Sequence, residues 1–234
     1  MTSSAGAWLP DGSLFLESSD APPVRPYRPW NQGDIFVDVP IMITGRTNAG
    51  APKVKEKLCH AMLIGHTCSL RGGGDIAILQ NVAEVRQAKD AEIARLKAAQ
   101  PLFDSDFKLF PLAGLFHDTL WIVDFNVLGT THYKHLVDKR IACLSLEGWA
   151  ALQRRYAFHS LRVDLSIETR AEDLRGLWRE FELWEEWCSR GLVEREFDKW
   201  LGEPITTDCT YKGTIRRDAV EFAADILLAE MPAS

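Results

Sequence analysis

What most constrains this chain is a succession of short apolar runs with turn residues between them, all before residue 145. Asp34-Ile35-Phe36-Val37-Asp38-Val39 is the first, after the turn residues Gln32-Gly33, and Cys59 to Gly65 is the second. Asp75-Ile76-Ala77-Ile78-Leu79, Phe107-Lys108-Leu109-Phe110, Thr119 to Phe125 and Lys139 to Leu144 follow. Each is short enough for a strand, and many short strands closed by turns predict a small barrel or rolled sheet. The third run is expected to pair with the second as a hairpin. Between the first two, Pro40 to Leu58 reads as a loop or open hairpin, broken by Asn48, Gly50 and Pro52.

The period then changes. Val85, Ala88, Ile93, Leu96 and Ala99 recur at helical spacing and predict a helix over Glu84 to Gln100, stopped by Pro101. Ser145 is placed to cap a second helix that carries Trp149, Leu152 and Tyr156 on one face. From about Glu172, Leu174, Leu177, Trp178, Phe181, Trp184, Trp187 and Cys188 form a broad apolar stripe. Val193, Phe197 and Trp200 predict a short helix, and Ile215, Ala219, Phe222 and Ile226 another. The expected fold is α+β. An extended arm over 1–32, with a short strand at Leu14-Phe15-Leu16 and with Tyr27 and Trp30 placed to pin it, leads into a β-domain over 33–145. A helical region over 146–234 completes the chain.

Charge and cysteine content narrow the function. The formal net charge is -6 over 234 residues, so nucleic acid must be met through a local basic patch. Arg46, Lys53, Lys55 and Lys57, against only Glu56, supply one in the 40–58 segment. The helices carry the opposite sign: Glu172, Asp173, Glu180, Glu182, Glu185, Glu186, Glu194, Glu196 and Asp198 offer a protein partner an acidic surface. Cys59, Cys68, Cys143, Cys188 and Cys209 are scattered, without a C-x-x-C pair, as in a reduced cytoplasmic protein. No apolar run reaches membrane-span length, so no membrane is expected.

Chemistry gathers at the end of the second run. His66, Cys68 and Arg71 stand within six positions, with Thr67 and Ser69 among them and Gly72-Gly73-Gly74 beyond. His66 and Cys68 are two apart and share a strand face. A histidine there can hold a thiolate, or act as base on an RNA 2′-hydroxyl while Arg71 or Arg46 stabilises the phosphorane. The plainer alternative is a small buried cysteine and a hydrogen-bonded hairpin histidine. The Cys59, His60, His66, Cys68 spacing fits no common zinc pattern, and no metal or cofactor is expected. His132-Tyr133-Lys134-His135, with Lys139 and Arg140, forms a further polar surface candidate.

The order of Gly33-Asp34-Ile35-Phe36-Val37, basic segment, Ala61-Met62-Leu63-Ile64, glycine-rich hairpin and Asp75–Leu79 resembles the MazF/PemK family of toxin endoribonucleases over roughly residues 30–145. The resemblance implies an SH3-like barrel, metal-independent RNA cleavage, a toxin–antitoxin or phage-defence setting and homodimerisation. In that family an Arg-Pro pair enters the second strand and its arginine is catalytic. Cys59-His60 stand at that place here, and Asn81-Val82-Ala83 stand where a catalytic hydroxyl would fall. The expected function is therefore an RNA-directed toxin-like endoribonuclease, or a degenerate relative, using His66, Cys68 and Arg71. The alternatives are a non-catalytic nucleic-acid or protein interaction module, and a cysteine-dependent enzyme using Cys68 and His66.

Overall fold

A computed structural model describes residues 14–16, 27–46, 51–65, 79–98, 108–116, 119–161 and 167–233. The chain is mixed α and β: a six-stranded antiparallel sheet with one helix between its strands and several after it. The strands are β1 (Ile35–Arg46), β2 (Pro52–Leu63), β3 (Leu79–Gln87), β4 (Leu109–Leu112), β5 (Trp121–His132) and β6 (Arg140–Ala142). Their order is β4-β5-β3-β2-β1-β6, and β1 also meets β5 where Met42 opposes Thr130. Gly129 makes that meeting feasible, because a Cβ there would stand 2.8 Å from the Met42 carbonyl oxygen.

The segment expected as a loop from Pro40 to Leu58 is mostly a long hairpin instead. β1 and β2 pair from Ile35 opposite Met62 out to Arg46 opposite Pro52. Alternation explains the correction. Ile41 and Ile43 point to the face opposite that of Met42 and Thr44, while Lys53, Lys55 and Lys57 alternate with Val54, Glu56 and Leu58. A bulge between Phe36 and Val39, with Asp38 at φ 49°, keeps both Phe36 and Val39 on the buried face.

The helix expected over Glu84–Gln100 is a second correction. Glu84 to Gln87 belong to β3, and α1 spans Asp90–Ala98. Val82, Ala83 and Val85 are buried between β2 and β5, and that packing overrides the helical spacing that includes Val85. Glu92 starts α1 by accepting the Lys89 amide at 2.8 Å, one half of a capping box. β3 pairs antiparallel with β2 through Val82, Ala83, Glu84 and Val85; of the expected third run only Leu79 is described, and it opposes His132 of β5, while residues 75–78 lie outside the described ones. β4 includes Pro111 and Leu112 beyond the expected end, tolerated because β4 is an edge strand.

The sheet buries both faces. On one, Ile35, Met62, Val85, Phe110 and Val123 pack with Trp149 and Leu152 of α2 (Leu146–Leu161) and with Leu174, Trp178 and Phe181 of α3 (Ile167–Ser189). On the other, Phe36, Val39, Ile41, Ala61, Leu63, Val82 and Leu136 form a separate cluster. Ser145 caps α2 as expected, its hydroxyl accepting the Gly148 amide at 3.0 Å.

The far end of α3 belongs to another core. Leu183 and Trp187 pack there with Phe197 and Trp200 of α4 (Phe197–Leu201), Ala219 of α5 (Arg216–Ala219) and Leu227 of α6 (Ala224–Glu230). The single helix expected from Ile215 to Ile226 is two, interrupted at Ala223, and Phe222 is exposed. At the N-terminal end, Phe15 bridges Leu144. Arg28, not Tyr27, pins the arm: its guanidinium lies 4.1 Å over the Trp178 ring while Tyr27 is exposed. Among the described residues, no helix is long and apolar enough to cross a membrane.

Candidate functional site

Gly33-Asp34, which opens the first run, builds a structural corner. Gly33 sits at φ 96°, and a Cβ there would fall 2.4 Å from Leu144. Asp34 is buried and accepts the Asn31 amide at 3.0 Å and the Arg140 guanidinium at 2.9 Å. Arg140 also donates to the carbonyls of Arg28 at 2.7 Å and Pro29 at 3.1 Å. It is therefore a buried strut, which corrects its place in the expected 132–140 surface. Lys139 donates to the Asp38 carbonyl at 2.6 Å, and His132 accepts the Lys134 amide at 3.2 Å while stacking on Tyr133.

His66, Cys68 and Arg71 lie outside the described residues, as does the Gly72–Gly74 tip. Arg46 ends β1 opposite Pro52, and its side chain also lies outside them. The lysines expected to bind nucleic acid are described. Lys53, Lys55 and Lys57 oppose Gly45, Ile43 and Ile41, so all three share one face of β2. All three are exposed, and Lys53 and Lys55 have no ion-pair partner among the described residues.

A charged cluster that no sequence spacing revealed stands where this row ends. Lys57 pairs with Glu84 on β3, whose side chain is only 8% exposed. Two residues along the same face of β3, Arg86 grips Glu92 with both ends of its fork, at 2.8 and 2.9 Å, and reaches Asp124 on β5 at 3.0 Å. Asp124 in turn accepts the Asn126 amide at 3.1 Å. The Arg86 fork, with help from the Lys89 amide, outweighs burial and holds the Glu92 carboxyl down at about 2. Arg86 itself is held further above the ordinary arginine range by the same two carboxylates. The signal for this cluster is the Glu84-x-Arg86 alternation, which is visible only once the segment is read as a strand.

The opposite face of the same strands carries three aromatic rings. His60 lies 5.2 Å from Trp121 and 6.1 Å from Phe116, and Phe116 lies 4.8 Å from Trp121. His60 opposes the β1 bulge, and its Nδ1 accepts the Asp38 amide at 3.5 Å. The Trp121 indole donates to the Thr119 hydroxyl at 3.0 Å.

Three of the described thiols, Cys59, Cys143 and Cys188, are poorly suited to nucleophilic work, while Cys209 is exposed. Burial, reinforced by Glu84, pushes the Cys59 thiol up to about 11, and burial with Glu194 does the same for Cys188. Burial beside Asp34 raises Cys143 as well. Among the described residues, no group of three or more His, Cys, Asp or Glu is placed to hold a metal. The acidic helices are partly neutralised: Glu182, Glu185, Glu186 and Asp198 pair with Arg179, Arg28, Arg190 and Arg217. Compared with known proteins, the chain matches no protein-family model and no curated protein.

Proposed function

We propose that this protein is directed to single-stranded RNA, as an endoribonuclease of the MazF/PemK kind or a degenerate relative, and that RNA lies along β2. The observation that carries the reading is the row of Lys53, Lys55 and Lys57 on one exposed strand face of an otherwise acidic chain. A basic strip on an acidic protein is the footprint a phosphate backbone requires. The meeting of β1 with β5 supports an SH3-like barrel, since β1, β2, β3 and β5 then form a ring.

Metal-independent cleavage needs a base for the 2′-hydroxyl and a cation for the charge that develops on phosphorus. Glu84 is the carboxylate at the end of the lysine row, and Lys57 is the cation beside it. His66, Cys68 and Arg71 lie in the segment that joins β2 to β3, next in sequence to this cluster. Arg86 is assigned a structural role, because two carboxylates occupy its fork.

The test is incubation of the protein with unstructured RNA in chelator. Expected are fragments ending in 2′,3′-cyclic phosphate, lost in Glu84→Gln and in His66→Ala. Intact RNA at an enzyme excess rejects the nuclease. The saturated fork of Arg86 favours a second reading, a non-catalytic RNA-binding module, in which RNA is bound and not cut. A thiol enzyme would not use Cys59, Cys143 or Cys188, whose thiols are raised; Cys68 is the thiol that stands beside His66 in sequence.

A further inference from the structure

We infer that His60, Phe116 and Trp121 form a stacking platform for unpaired nucleobases of the same RNA strand; this rests on the RNA-directed reading above. The three rings come from β2, the turn after β4 and the start of β5, and they meet across β3. A closed hydrophobic core would bury them. Here Phe116 is 37% exposed, His60 and Trp121 are half-buried, and Leu58, two residues from His60 on the same strand face, is 67% exposed. Flat π-surfaces open to solvent on a sheet are what sequence-tolerant recognition of single-stranded nucleic acid uses, each base stacked contributing about 1–3 kcal/mol.

The lysine row identifies the occupant. Lys57 and His60 are three residues apart on β2, about 10 Å of extended chain. They point to opposite faces, yet one ligand can reach both. Residues 52–59 have no ladder partner on the side away from β1 among the described residues, because β3 joins β2 only from His60 onward. An extended polyanion along that open edge sets its phosphates against Lys53, Lys55 and Lys57 and turns its bases over the edge onto His60, Trp121 and Phe116. An apolar peptide would use the rings and leave the lysines idle. A duplex would use the lysines but could not offer its stacked bases to the rings.

The experiment uses the full chain and a short single-stranded RNA with 2-aminopurine at successive positions, carrying 2′-O-methyl groups so that it cannot be cleaved. Stacking predicts that fluorescence of at least one position falls severalfold on binding. Phe116→Ala and His60→Ala are expected to restore most of that fluorescence and weaken binding about tenfold, without changing the salt dependence that the lysines set. Trp121→Phe, which keeps a ring, is expected to retain the quench. Circular dichroism of each variant confirms the fold. If the oligonucleotide binds with salt dependence but no position is quenched, or if Phe116→Ala and His60→Ala leave the quench intact, the platform is overturned and the RNA reading survives. If those variants change only the sedimentation of the protein, the rings are a self-contact and the platform is overturned. If no single strand binds at low salt, the RNA reading fails and the platform with it.

Discussion

Two arginine–carboxylate clusters in this chain use the same chemistry to different ends. In the C-terminal helices, Arg216 donates to Glu230 at 3.0 Å, to Glu203 at 3.3 Å and to the Trp200 carbonyl at 3.0 Å. Glu230 also accepts from the amides and hydroxyls of Thr206 and Thr207. The side chains of Arg216 and Glu230 are 7% and 2% exposed. On the sheet, Arg86 grips Glu92 and Asp124 with its own side chain 24% exposed, and the neighbouring Lys57–Glu84 pair opens onto the exposed lysine row. The first cluster is closed around Arg216 and Glu230, with Glu203 at its exposed edge, and ties three short helices together. The second is closed around Arg86 only, and its Lys57 end faces solvent. Partner identity is thus a poor guide to role, and what lies beyond the pair decides.

If the closed cluster is purely structural, breaking it should cost most. Glu230→Ala leaves the buried Arg216 with only the exposed Glu203 carboxylate and is expected to destabilise the fold by about 3 kcal/mol in urea unfolding. RNA binding by the folded fraction should be unchanged. Arg86→Met is expected to cost less, about 1.5–3 kcal/mol, and to raise hydrogen exchange in α1, which Glu92 ties to the sheet.

Both clusters also set an acid limit. Burial alone would raise the Glu230 carboxyl, but hydrogen bonds from Thr207, Thr206 and Arg216 bring it to about 2, and Glu92 is likewise near 2. Folded values below the ordinary 4.5 mean stabilisation that is complete above 4.5 and lost as the pH falls towards 2. Glu230→Gln and Glu92→Gln should each flatten the fall in stability over that window. Smallest of all, Cys59, Cys143 and Cys188 should label with iodoacetamide more slowly than an unhindered thiol at pH 7.5; rapid labelling at Cys59 would contradict its burial beside Glu84.

The positions of these charges set how much of the molecule is legible in its sequence. The starts of β1, β5 and β6 and the Ser145 cap are readable, because apolar alternation and capping chemistry are local. The distal half of the β1–β2 hairpin is hidden, since lysines on an exposed strand look like a loop. Glu84-x-Arg86 is hidden because Val85, Ala88 and Ile93 also fit a helix, and only the pairing of β3 with β2 and β5 decides. The His60, Phe116 and Trp121 rings, from three separate segments, cannot be joined by any spacing rule. Nor can Arg216 and Glu230, fourteen positions apart across two short helices.

The measurement that bears most directly on the account is the salt dependence of single-stranded RNA affinity for the natural chain and for the Lys53→Ala, Lys55→Ala, Lys57→Ala triple variant. Each phosphate left without its lysine should lower the slope of log affinity against log salt by about 0.7. The account predicts a slope shallower by about 2 in the triple variant, with the fold intact. Equal slopes in the two proteins, or no binding by the natural chain at low salt, would contradict it.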